Sequence, residues 1–172
     1  MKKILFSLIA LMAVMTVQAQ SICSTWRTLQ PVVETDNDGS FTAQSYTYTF
    51  NADGTFYFVD ELTLATQPER TMEQEVATNI EIRGTYTLEG DKLTIKPNMN
   101  TYKTDLLSTS INGRVVNSAK VKKSVNAKIN SASFKEKFAG TKTYTVRIGD
   151  ASLEMNDGRQ AINYMRLATI RN

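Results

Sequence analysis

The triplet Thr-Tyr-Thr occurs three times in this 172-residue chain, and each copy comes shortly before a turn. The copies begin at Thr47, Thr85 and Thr143, and each is followed within a few residues by a glycine next to an aspartate. Tyrosine and threonine favour the pleated, half-buried surface of a strand, whereas Asp-Gly and Gly-Asp pairs favour tight turns. The repeated pattern therefore predicts a series of β-hairpins.

Alternation of side-chain type supports this prediction around the first turn. Tyr46, Tyr48 and Phe50 are spaced two apart with small polar residues between them, and Phe56 and Phe58 continue the pattern after the turn. A period of two is typical of a strand with one face toward a core and the other toward water. We therefore expect these five aromatic rings to point inward.

The same criteria predict about eight to ten strands along the chain. The turn at Asp36–Gly39 and a polar loop at Gln67–Glu75 separate some of them, and Pro97 is expected to end another. The strands are expected at 25–35, up to Phe50, from Thr55 to about Ala65, from Val76 to Leu88, at Lys92–Lys96, at Tyr102–Ile111, between Lys142 and Met155, and between Gln160 and Ile170.

A late segment has a different texture. Residues 115–138 are rich in Lys, Asn, Ser and Ala, and Val121, Val125 and Ile129 are spaced four apart. This spacing predicts one or two amphipathic helical turns with a basic outer face, capped by Gly140. The helix is expected to cover one end of the β structure, and a lid or a membrane-touching helix is the alternative.

Short connections between successive antiparallel strands favour a barrel or a sandwich. We predict an all-β protein, an antiparallel up-and-down β-barrel with one late helical insertion. Residues 20–172 are expected to form a single domain.

Residues 1–19 have the pattern of a secretory signal peptide. Lys2 and Lys3 precede an apolar stretch, and small residues occupy positions 17 and 19 ahead of the expected cleavage site. The stretch is too short to cross a bilayer, so no transmembrane segment is expected. Export to the periplasm or out of the cell follows. Lipid attachment to Cys23 is the less favoured alternative, because Ile22 stands where that processing needs a small residue.

Composition excludes several classes of function. The chain has no histidine, which removes the usual Ser-His-Asp and Cys-His systems and the common zinc sites. Its single cysteine permits no internal disulfide. Two of the 20 basic residues fall in the signal, so 18 basic face 17 acidic residues in the mature chain. We expect no nucleic-acid partner, no cofactor, no metal site and no catalysis.

One acidic turn invites a metal interpretation. Asp36–Gly39 has the beginning of a calcium-binding loop, but Thr47 occupies the twelfth position, where such a loop needs a glutamate. These residues are expected to be solvated turn residues.

Four segments together resemble the small secreted bacterial lipocalin-like domains; they are Ser24–Arg27, Tyr48–Phe56, Gly84–Ile95 and Tyr164–Arg166. The family usually carries Gly-x-Trp on the first strand, with the Trp packed against an Arg from the last strand. The resemblance implies these structural roles for Trp26 and Arg166, with Arg171 as the alternative to Arg166, although Ser24 stands in place of the glycine. The segment Gly84–Ile95 is also similar to META-type domains, but their Gly-Cys-Asn element is absent.

A barrel of this size is either solid or holds one small ligand. Inward tyrosines would line a pocket that has aromatic walls and phenolic donors and acceptors, which suits a small apolar or amphipathic ligand. The leading hypothesis is a carrier of such a ligand, and a protein-interaction module (an envelope adaptor or a secreted inhibitor) is the alternative. The candidate ligand-binding residues are Tyr46, Tyr48, Phe56, Phe58, Tyr86, Tyr144 and Tyr164.

Overall fold

Antiparallel strands make up most of the chain in a computed structural model, which describes residues 22–35, 40–69 and 72–168. The proposed signal peptide, the turn Asp36–Gly39 and Arg171 lie outside these ranges. The ten strands described are β1 (Thr25–Thr28), β2 (Val32–Thr35), β3 (Phe41–Phe50), β4 (Thr55–Glu69), β5 (Met72–Glu89), β6 (Lys92–Ile111), β7 (Arg114–Val115), β8 (Lys142–Ile148), β9 (Ser152–Asn156) and β10 (Ala161–Arg166).

Eight of these strands close into a ring. The pairing runs β1-β10-β9-β8-β6-β5-β4-β3, and β1 also pairs with β3, which completes the circle. All of the pairs are antiparallel, and β2 and β7 are short additions that pair with β3 and β6. The predicted up-and-down β-barrel is confirmed.

The inner face of the ring holds the core. Alternate residues of each strand point inward, as the period-two pattern predicts, and the aromatic series of β3 and β4 pack against each other. Phe50 and Phe56 are directly paired across these two strands, as are Tyr48 and Phe58. Trp26, Ile80, Leu93 and Leu153 are fully buried among them.

Several strand boundaries differ from the prediction. The first strand is interrupted after Thr28 and resumes as β2, and the predicted loop at Gln67–Glu75 is wrong because β4 continues to Glu69 and β5 begins at Met72. Backbone pairing holds this hairpin although its side chains are polar. Pro68 is tolerated because the pairing of β3 with β4 ends at Ala65, so one edge of β4 has no ladder for the proline to interrupt.

Pro97 does not end a strand either. β6 continues through it to Ile111, but its pairing with β8 stops at Ile95. The chain takes five steps from Asn98 to Lys103 where β5 takes two between Arg83 and Glu81. Thr101 bridges this irregularity, since its hydroxyl accepts a hydrogen bond from the Arg83 N–H at 2.8 Å. The missing N–H of Pro97 is therefore accommodated at a bulge.

The late insertion is helical, as predicted. It forms α1 (Ala119–Ile129) and α2 (Ala132–Glu136), and Gly140 follows with φ +83°. The Tyr102 hydroxyl of β6 donates to the Ile129 carbonyl oxygen at 2.6 Å, and the ring packs against Phe138. The helices thus cover the gap that opens where β6 leaves β8. None of the helices in the described ranges is long and apolar enough to cross a bilayer.

The opposite end of the barrel is tightly closed. Trp26 is fully buried, its indole N–H donates to the Ile22 carbonyl oxygen at 2.8 Å, and the Arg166 guanidinium lies 4.8 Å from the ring centre. The contact expected between Trp26 and Arg166 is therefore present. A cation over an indole face is favourable and excludes water from this end.

Gly84 tests the tightness of this packing. A Cβ at Gly84 would collide with the Lys96 carbonyl oxygen and lie 2.6 Å from Cε1 of Phe56. We expect Gly84→Ala to lower the free energy of unfolding by about 2 kcal/mol, because backbone and a core ring must both move. Urea denaturation measures this change.

Gly149→Ala is the matched control. Its Cβ would meet only the hydroxyl of Ser152, at 2.7 Å, and that side chain can rotate away. Equal losses in the two variants would contradict the argument from close packing at Gly84.

Candidate functional site

A cavity of about 320 Å³ opens at the end of the barrel opposite Trp26. Five of the seven predicted ligand-binding residues line it, namely Tyr46, Tyr48, Phe58, Tyr144 and Tyr164. They come from β3, β4, β8 and β10, so the ring closure is what brings them together. Binding cavities of small molecules begin at about this size.

The aromatic rings of the cavity pack against one another. The ring centres of Tyr48 and Phe58 are 4.6 Å apart, and Tyr48 meets Tyr164 edge-on at 6.0 Å. Tyr46 lies 5.9 Å from Phe58. These are favourable offset and edge-to-face separations. The rings therefore support each other as a preformed wall.

Two predicted residues, Phe56 and Tyr86, do not line this cavity. Tyr86 lies at the closed end, where its hydroxyl donates to the Asn51 carbonyl oxygen at 2.8 Å and lies 3.4 Å from Cys23 Sγ. Because the single phenolic proton is used on Asn51, the thiol is the donor in the second contact. Phe56 is packed beneath the cavity against Phe50 and Tyr48. Both residues point inward as expected, but nearer the closed end than the prediction assumed.

Aliphatic side chains and the helical insertion complete the wall. Leu62, Leu64, Met155 and Ile162 line the cavity from the strands, and Phe134 and Phe138 line it from the insertion. The rings of Phe134 and Phe138 are 5.9 Å apart. The insertion is thus part of the cavity and not a detached surface helix.

Asp60 is an acidic residue within this apolar wall. It occupies an inward position of β4 between Phe58 and Leu62 and is fully buried. Gln44 Nε2 donates to its Oδ2 at 2.7 Å, whereas Oδ1 has no hydrogen-bond partner among the described residues. Burial raises the pKa of Asp60 to about 7, although the Gln44 hydrogen bond and Lys142 act in the opposite direction.

Lys142 lies near this carboxyl at the start of β8. Its ammonium donates to the Lys137 carbonyl oxygen at 3.1 Å. Burial lowers its pKa, while Asp60 and Asp157 raise it. A partly buried cation therefore faces the carboxyl from across the cavity.

The phenols of the cavity are held in their neutral form. Burial raises the pKa of Tyr46, and Asp60 raises it further. Burial also raises the pKa of Tyr48 and of Tyr164, and each of them is raised further by the Tyr144 phenol. At neutral pH these hydroxyls act as uncharged donors and acceptors.

Sequence reasoning missed three polar residues of the site: Gln44, Asp60 and Lys142. For Asp60 a signal exists, because the period of two that begins at Phe56 and Phe58 places residue 60 on the same inner face. For Gln44 and Lys142 the side-chain type gives no such sign. Long polar side chains near strand ends are usually solvated.

Two other kinds of site were considered. A depression of about 570 Å³ lies on the outer face near Tyr57 and Arg83, but it is open to solvent and the barrel does not enclose it. Within the described ranges, no three His, Cys, Asp or Glu side chains come together as metal ligands would. The barrel cavity is therefore the candidate site.

Comparison with models of protein families gives no match for this chain. A search of curated proteins likewise finds no significant relative.

The burial of Asp60 has a consequence for stability. Its pKa is about 7 in the folded protein, whereas an aspartate in an unfolded chain has a pKa of about 3.9. Between these values the folded protein binds a proton that the unfolded chain has lost, so stability falls as pH rises from about 4 to about 7 and levels off above. The loss is of the order of 4 kcal/mol, at about 1.4 kcal/mol per pKa unit.

We expect Asp60→Asn to remove most of this loss, as measured by urea denaturation across the pH range. Asp105→Asn, at an exposed position of β6, is the control and should follow the wild-type slope. Parallel slopes in wild type and Asp60→Asn would show that the carboxyl does not titrate in this way.

Proposed function

We propose that this protein is a lipocalin-like carrier that binds a small apolar or amphipathic ligand without catalysis. The single observation that supports it is the cavity of about 320 Å³ enclosed by the barrel, with tyrosine hydroxyls on aromatic walls. A cavity with apolar walls and a few polar groups is the usual form of a small-molecule site. The neutral phenols suit a ligand with few charges.

The asymmetry of the barrel also supports a carrier. Trp26 and its contacts with Ile22 and Arg166 fill the closed end. The cavity is at the other end, bordered by Glu34, Asp157 and Lys137. A ligand can therefore reach the aromatic wall from one side only, which limits exchange with water. The rim charges are of both signs and favour no charged substrate over long range.

We further propose that the protein is exported and acts in the periplasm or outside the cell. The sequence of residues 1–19 supports this proposal, as does the absence of any use of histidine or paired cysteines. A soluble carrier is useful where an apolar molecule must cross water between two membranes or leave the cell.

An interaction module is the second candidate, and the edge of β2 favours it. In the described part of the chain β2 pairs with β3 on one side only, and Val33 on this strand is 61% exposed. Leu29, just before β2, is 58% exposed. An exposed strand edge with apolar side chains can accept a strand from a partner.

Filling the cavity distinguishes the two candidates. Ile162 lines the cavity and is half-buried, so Ile162→Trp should occupy ligand space without entering the packed core. We expect this variant to bind the uncharged dye N-phenyl-1-naphthylamine at least about tenfold more weakly than wild type, which corresponds to about 1.4 kcal/mol. Dye fluorescence at increasing protein concentration gives the dissociation constant.

Leu107→Trp is the control, because Leu107 is 57% exposed on the outer face of β6. It should bind the dye as wild type does. Native mass spectrometry of protein purified from its own source cells adds a test independent of the dye. A co-purifying molecule of a few hundred daltons would support the carrier; neither an adduct nor dye binding in wild type would refute it and favour the interaction module.

A further inference from the structure

Asp60 Oδ1 is a buried acceptor at the wall of the cavity. The residues two before and two after it, Phe58 and Leu62, both line the cavity, and so do its cross-strand neighbour Tyr46 and its hydrogen-bond partner Gln44. The carboxyl is therefore surrounded by cavity residues on its own strand and on β3. Gln44 fixes one oxygen, and the other is left without a donor among the described residues.

An unsatisfied buried acceptor is unusual in a folded protein. Most buried polar atoms have a partner, and leaving one without a donor costs free energy. A polar residue in an apolar wall is retained at this cost when something else supplies the missing contact. A molecule in the cavity that carries a hydrogen-bond donor would do so.

The charges around Asp60 indicate what kind of donor fits. Lys142 approaches from β8, the Tyr102 phenol from β6 and the Tyr164 phenol from β10. The neighbouring Glu61 points outward, where Arg27 pairs with it at 2.6 Å. A ligand ammonium would meet the Lys142 cation, and a ligand carboxylate would meet Asp60 itself. An uncharged hydroxyl avoids both repulsions.

The rim gives the same answer. Glu34 and Asp157 bring two negative charges to the cavity border, and Lys137 and Lys142 bring two positive ones. This balance attracts neither sign strongly. The apolar part of the ligand would then lie along Phe58, Leu62 and Leu64.

We propose that Asp60 Oδ1 accepts a hydrogen bond from the hydroxyl group of an uncharged amphiphile, such as a long-chain alcohol or a sterol, bound in the cavity. This inference rests on the carrier function proposed above and narrows its ligand class. Gln44 is a positioning residue, because its hydrogen bond to Oδ2 directs the other oxygen.

Two probes of equal chain length test the proposal, decan-1-ol and decanoate, with calorimetry at pH 7. We expect wild type to bind the alcohol at least about tenfold more tightly, and Asp60→Leu to lose at least about tenfold of that preference, the equivalent of one hydrogen bond. Asp105→Leu is the matched control on the outer face and should keep the wild-type preference. A preference for decanoate, or an unchanged preference in Asp60→Leu, overturns the proposal.

Carbon-13 NMR of the wild-type Asp60 carboxyl gives a second readout that requires no variant to fold. A hydrogen bond donated to the carboxylate favours its charged form, so saturation with decan-1-ol should lower the midpoint of its titration. An unchanged or raised midpoint overturns the proposal.

Dye binding separates the two levels of the argument. If N-phenyl-1-naphthylamine binds wild type but the preference for the alcohol is absent, only the role of Asp60 fails. If neither the dye nor either probe binds, the carrier function fails and the role of Asp60 fails with it.

Discussion

The double pairing of β1 is the constraint on which the rest of the structure depends. Only four residues long, β1 pairs with β10 on one side and β3 on the other. Nearly every other connection in the ring joins strands that are consecutive in the chain and can form as local hairpins. β1 makes the one link between the two ends of the sheet, and without it β3 and β10 would each present an open edge. Trp26 and Arg166, which are partners in that link, stabilise it from inside.

Closure at one end allows the other end to be less regular. Near Trp26 the strands are in register and the interior is filled by rings. Farther up, β6 leaves β8 after Ile95, and the chain bulges between Asn98 and Lys103. The space that this divergence creates is covered by the helical insertion through Tyr102 and Phe138. The cavity is therefore a consequence of strand divergence over a rigid base, and polar groups such as Asp60 lie where the packing is least dense.

The sequence predicted much of the fold because its main signals are local. Alternation and turn residues act over a few positions, so the hairpins, the inward rings and the late helices could be predicted from neighbouring residues. The continuation of β4 through Pro68 and of β6 through Pro97 could not, because a proline is tolerated or not according to which edge is unpaired, and that depends on distant strands.

The site was predictable only in part, for a similar reason. Period two correctly assigned seven aromatic residues to the inner face, but the height of a residue along the barrel depends on register. Tyr86 therefore falls at the closed end, whereas Tyr46 and Tyr144 fall at the cavity. The meeting of Gln44 with Asp60, sixteen positions apart in the chain, also depends on the register of β3 and β4.

The contact between Cys23 and Tyr86 has a consequence for how the molecule can be held. It fixes the first described residues at the pole of the barrel away from the cavity, with Trp26 directly behind them. A tag, a surface or any other group joined ahead of Ile22 is therefore attached on the far side of the molecule. The mouth then faces outward from the point of attachment, and a tethered copy can exchange cargo as readily as a free one.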